Sequence, residues 1–123
     1  MGRPDPAAGR AAEAAAADAL RRQGWTVLAR NVRTPVGEVD LVAEKSGRIA
    51  FAEVKARRRG GSAGTGIEAM TTAKMRRVAR AAEHILRTRG LRDARREFLG
   101  IAVTLDDDGT PGEIRIVPVE DIR

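Results

Sequence analysis

Two short apolar runs hold the side chains best placed to do chemistry, Gly37-Glu38-Val39-Asp40-Leu41 and Phe51-Ala52-Glu53-Val54-Lys55. Alternate residues of a strand share a face. Glu38 and Asp40 should therefore point one way and Val39 and Leu41 the other, while Glu53 and Lys55 share a face with Ile49 and Phe51. Lys45-Ser46-Gly47-Arg48, between the runs, is a turn signal. If Lys45 opposes Arg48, Asp40 faces Glu53 and Glu38 faces Lys55, with opposed Cβ atoms about 4.5–5.5 Å apart. A slip of one residue would undo that pairing.

Carboxylates this close destabilise a hairpin unless a cation lies between them or one keeps its proton. With a backbone carbonyl and water they make a hard-oxygen site suited to Mg²⁺ or Mn²⁺. Lys55 beside them could hold a phosphate oxygen or orient an attacking water. The chain has twenty Arg and only Lys45, Lys55 and Lys74 as lysines, so a compact ammonium at Lys55 can do what a guanidinium cannot. The plainer alternative is an exposed sheet face with salt bridges, Glu38–Lys55 among them, worth ~0–1 kcal/mol each. Ile49 and Phe51 on the same face argue that it is partly covered.

The elements that must position these groups follow from pattern. Asp5-Pro6 opens a helix that Gly24 closes, with Ala12, Ala16, Ala19 and Leu20 along its apolar face. Glu13 flanks that stripe and either finds a partner or snorkels to solvent. Strands are expected over Trp25–Val32, Val36–Glu44 and Arg48–Ala56, then a mobile basic, glycine-rich loop over about 57–70. A second helix runs from a Thr71 or Thr72 cap to near Gly90, and strands follow at Phe98–Leu105 and Glu113–Val119. The order α-β-β-β-α-β-β describes one α/β domain over residues 1–123 with a mixed sheet. His84 reads as a solvated histidine, and Asp106-Asp107-Asp108-Gly109 as a turn that lacks the spacing of a calcium loop.

The chain has 123 residues, 42% of them hydrophobic and 33% charged, with a net charge of +6. That composition excludes wholesale disorder. The absence of Cys excludes disulfide frameworks and thiolate chemistry, and one His excludes histidine-rich metal centres. No apolar run is long enough to span a bilayer and no secretory segment is visible, so a cytoplasmic protein without membrane contact is expected. Residues 57–96 carry +9, whereas 1–56 carry +2 and 97–123 carry −5. Such a localised basic surface suits a polyanion. Trp25, Phe51 and Phe98 are the only aromatics, too few for a base-stacking platform, which points to phosphate and shape contacts.

The string Glu13…Gly37-Glu38-Val39-Asp40-Leu41…Phe51-Ala52-Glu53-Val54-Lys55 resembles the PD-(D/E)XK nuclease superfamily. It is most similar to the small bacterial YraN-type family and more distantly to archaeal Holliday-junction resolvases. The resemblance runs from the first helix through the helix bearing Lys74. It departs from the family pattern at Leu99, where an Asp often follows the Phe, and at Ala12, where a Gly is usual. It implies a restriction-endonuclease-like core in which Asp40 and Glu53 bind a divalent metal, Glu13 completes the site and Lys55 assists the attacking water. Lys74 matches a basic position that can face the site.

The expectation is therefore an Mg²⁺- or Mn²⁺-dependent endonuclease acting on DNA more readily than RNA, with branched or damaged DNA among its candidate substrates. Asp40, Glu53 and Lys55 would be catalytic, Glu13 would support the metal, and Glu38 would lie nearby. Arg57, Arg58 and Arg59, with Lys74, Arg76, Arg77 and Arg80, would contact the phosphate backbone in a salt-dependent, sequence-tolerant way. A homodimer would cover more of a branched duplex. The main rival is a non-catalytic nucleic-acid-binding module on the same fold. A structural basic protein, for which the acidic pair is incidental, is the third reading.

Overall fold

Ser46 and Gly47 have φ of 51° and 79°, the positive values a two-residue hairpin turn matched to strand twist requires. They join β2 (Gly37–Lys45) to β3 (Arg48–Arg58). The pairing Lys45↔Arg48 through Leu41↔Ala52 is the register expected from the sequence. A computed structural model describes residues 6–59 and 72–120; the expected glycine-rich loop lies, from Gly60 onward, outside them.

The remaining elements are α1 (Pro6–Arg22), β1 (Thr26–Thr34), α2 (Thr72–Thr88), β4 (Arg95–Leu105) and β5 (Pro111–Pro118). The strands form one sheet in the order β1-β2-β3-β4-β5. Among the described residues only β3 and β4 run parallel, and the connection between them carries α2. The fold is thus a five-stranded mixed sheet flanked by two helices, in the order the sequence implied.

Each helix covers one face. Leu20 and the alanines of α1 pack on Leu41, Ala43, Ala50, Ala52, Ile101 and Val103. Met75, Val78, Ala81, Ala82, Ile85 and Leu86 of α2 pack on Val39, Val42, Ile49 and Phe51. Phe51 is wholly buried and stacks on Phe98 with ring centroids 5.9 Å apart; burial of such a side chain contributes ~1.5–3 kcal/mol. No helix among the described residues is long and apolar enough to cross a membrane.

Two expectations are corrected. β3 continues through Arg58, two residues past Ala56, because β4 supplies parallel partners as far as Arg58↔Leu105. Arg57 and Arg58 are therefore strand residues, not the start of a loop. Val39 and Leu41 also do not share a face, since Val39 joins the α2 core and Leu41 the α1 core. At the same rung β1 carries Asn31 at φ 52°, a left-handed backbone within the strand.

Candidate functional site

The β2–β3 ladder ends at Leu41↔Ala52, although both strands continue beyond it. Where the strands part, Asp40 Oδ2 accepts a hydrogen bond from the Val54 amide at 2.7 Å. A side-chain oxygen thereby replaces a ladder carbonyl and fixes the Asp40 carboxyl beside β3. Glu53, on the neighbouring position, is 8% exposed and is the one buried charged residue among those described.

Burial raises the Asp40 pKa from 3.8 to about 7, aided by the charge of Glu53 and a hydrogen bond to it. The Val54 amide and Lys74 oppose the shift. Near neutrality the Asp40 carboxyl therefore keeps its proton part of the time. Lys74 Nζ lies 3.1 Å from Glu53 Oε2. Both remedies for adjacent carboxylates, a retained proton and a nearby cation, thus occur together.

A cavity of about 310 Å³ opens over this pair, lined by Gly37, Glu38, Asp40, Glu53, Lys74, Arg77 and Val78. Its walls are the start of β2, where it is paired with β1 but not with β3, the middle of β3 and the first turns of α2. A Cβ on Gly37 would sit 3.0 Å from the Arg77 carbonyl oxygen, so glycine lets the strand lie against the helix backbone. Glu38 pairs with Arg33 at 3.8 Å, its cross-strand neighbour on β1. The expected Glu38–Lys55 opposition is not formed, because β2 has already left β3 at that point.

Asp40, Glu53, Glu38, Lys74 and Arg77 thus converge on one cavity. Lys55 is half-buried further along β3 and does not line it. Glu13 is not brought in either: it sits on α1, across the sheet, and its Oε1 accepts from Asn31 Nδ2 at 2.8 Å. Among the described residues no three His, Asp or Glu side chains are grouped to hold a metal ion, so the expected Asp40–Glu53–Glu13 set is not assembled. Arg76 and Arg80 are exposed on α2 and Arg58 on β3. Arg59 pairs with Asp106 at 3.6 Å. Arg57 keeps a buried Nε without a hydrogen-bond partner among the described residues.

Three contributors escape a reading by residue type alone. Val54 acts through its backbone, Gly37 through lacking a side chain, and Asn31 through a left-handed backbone. Asn31 alone carries a sequence signal, as an amide residue tolerant of positive φ inside a β-branched run.

The model of the uncharacterised protein family UPF0102 matches residues 12–103, a span that includes every cavity residue. A UPF0102 protein of Syntrophotalea carbinolica is 48% identical over 95 residues, covering 77% of this chain and 76% of its own. One of Desulfosudis oleivorans is 43% identical over 90 residues, covering 73% and 72%. One of Symbiobacterium thermophilum is 51% identical over 74 residues, covering 60% and 62%.

Proposed function

The chain belongs to the uncharacterised protein family UPF0102, and we propose that its cavity is the active site of a divalent-metal-dependent endonuclease hydrolysing phosphodiester bonds in DNA, on a restriction-endonuclease-like core. The observation that carries this reading is the Asp40–Glu53 pair. Two carboxyls meet at one cavity, one with its pKa raised to about 7, beside a lysine ammonium. A carboxyl perturbed by burial and a charged neighbour and facing a cavity marks a candidate functional site.

The donor set fits a hard cation. Asp40 and Glu53 offer anionic oxygens, and Mg²⁺ or Mn²⁺ is commonly held by one or two carboxylates, with water and substrate phosphate completing the shell. Lys74 already stands where positive charge is needed. Asp40 and Glu53 would hold the metal, which when bound neutralises charge on the scissile phosphate and acidifies water.

The protein's own groups do the rest. Val54 and the kinked strand hold Asp40 in place. Lys74 and Arg77 face a phosphate entering the cavity, and Lys74 exchanges its Glu53 partner for a phosphate oxygen. Lys55, two residues beyond Glu53 on β3, is the candidate for steering the attacking water. Arg76, Arg80 and Arg58 extend the positive surface along the backbone.

The Lys74–Glu53 pair also supports a second reading, a non-catalytic nucleic-acid-binding module in which lysine permanently takes the cation's place. Incubation of wild type and Asp40→Asn with labelled duplex, nicked and four-way-branched DNA in Mg²⁺ or Mn²⁺ separates the two. The endonuclease reading expects cleavage by wild type alone, with DNA bound comparably by both. Metal-independent binding without cleavage of any of these substrates favours the module.

A further inference from the structure

The Glu13–Asn31 hydrogen bond joins two elements that the cavity itself does not include. The pairs Arg30↔Leu41 and Val32↔Val39 place Asn31 across from Asp40 in the β1–β2 ladder. Ala29 and Val32, three residues apart, both pack against the α2 core, and so do Val39 and Val42. In regular strands residues three apart fall on opposite faces. Both strands therefore change face at the same rung, and Asn31 at φ 52° is the residue whose backbone makes the change in β1.

A left-handed conformation is uncommon in a strand and persists when its surroundings hold it. Here the Asn31 amide donates to Glu13 Oε1 at 2.8 Å, across to a helix anchored by the buried Ala12, Ala16 and Ala17. On β2 the same rung is Asp40, whose carboxyl reaches the Val54 amide and Glu53. We propose that Glu13 is a positioning residue, acting through the Asn31 kink to hold the Asp40 carboxyl on β3, and that it is not a metal ligand.

The proposal deepens the metal-site reading above, yet its first readout needs no metal. Amide hydrogen exchange at Val54 in the chelator-treated protein reports whether Asp40 still accepts that hydrogen bond. Glu13→Gln retains the acceptor oxygen and should leave Val54 protected as in wild type. Glu13→Ala and Asn31→Val should each speed Val54 exchange about fivefold to tenfold. Leu41 and Ala52, within the ladder, should keep their protection and so report a folded sheet. The double variant should be no faster than either single one, since both break one link. Unchanged Val54 protection in Glu13→Ala would overturn the proposal.

The second readout is Mn²⁺ affinity by calorimetry. A positioning role expects Glu13→Gln within about twofold of wild type and Glu13→Ala weaker by about tenfold. A ligand role expects Glu13→Gln to lose as much as Glu13→Ala, and that result also overturns the proposal. If wild type binds no Mn²⁺ while Val54 exchange behaves as stated, the metal reading fails and the positioning role stands.

Discussion

Asp40 accepts the Val54 amide at 2.7 Å at the point where β2 and β3 cease to pair. A carboxyl in that position does two jobs. It satisfies a backbone donor that the parting strands would otherwise orphan, and it is held against Glu53, the buried acid of the adjoining strand. The proposed chemistry grows from this structural role.

The pH dependence of stability follows from Asp40. Its pKa is 3.8 ordinarily and about 7 in the fold, raised first by burial and then by Glu53. Between those values the folded state keeps a proton that the unfolded state has released. The stabilisation is therefore complete below the unfolded value and is lost as pH climbs through the folded one. In chelator, the wild-type Tm should fall between about pH 5 and pH 8, by the equivalent of on the order of 2 kcal/mol after solvent screening. Asp40→Asn mimics the neutral acid and should show a flat profile. Thermal melts across this range decide it, and a wild-type Tm that rises with pH sinks the assignment.

Lys74 should separate metal binding from turnover. Its ammonium competes with a metal for Glu53 at 3.1 Å. Lys74→Met should therefore tighten Mn²⁺ binding about threefold to tenfold while slowing DNA cleavage about 100-fold. Calorimetry and single-turnover cleavage on the same preparations measure both. Weaker metal binding in the variant contradicts the competition.

Gly37→Ala should injure the cavity wall. Gly37 has φ 154° and its added Cβ would meet the Arg77 carbonyl oxygen at 3.0 Å. The expected cost is about 1–2 kcal/mol of stability, with a loss of cleavage because Gly37 and Arg77 both line the cavity. Denaturant titration and the cleavage assay test it, and a variant as stable as wild type speaks against the close approach.

Arg77→Ala should weaken DNA binding evenly across sequences and reduce the salt slope of log K by about one, as expected for a single phosphate contact. Binding measured by fluorescence anisotropy over a range of salt concentrations gives the slope. An unchanged slope removes Arg77 from the interface.

Much of this site was legible because its determinants are local. Ser46-Gly47 fixes the hairpin turn, the turn fixes the register, and the register brings Asp40 to Glu53. The need for a proton or a cation between them followed from charge alone. What was hidden depends on contacts distant in sequence. Lys74 reaches Glu53 only because α2 packs its apolar stripe over Phe51 and Val39. The face change at Asp40 lies opposite Asn31, whose left-handed backbone alternation cannot anticipate. Glu13 matched a ligand position by resemblance, yet α1 lies across the sheet from the cavity.

The most direct test of the central claim is calorimetric titration of Mn²⁺ into wild type and an Asp40→Ala/Glu53→Ala double variant, at a pH above the Asp40 pKa of about 7. A saturable site is expected in wild type and should be absent from the double variant. Equal binding by both proteins, or none by wild type even with duplex DNA present, would contradict a carboxylate metal site.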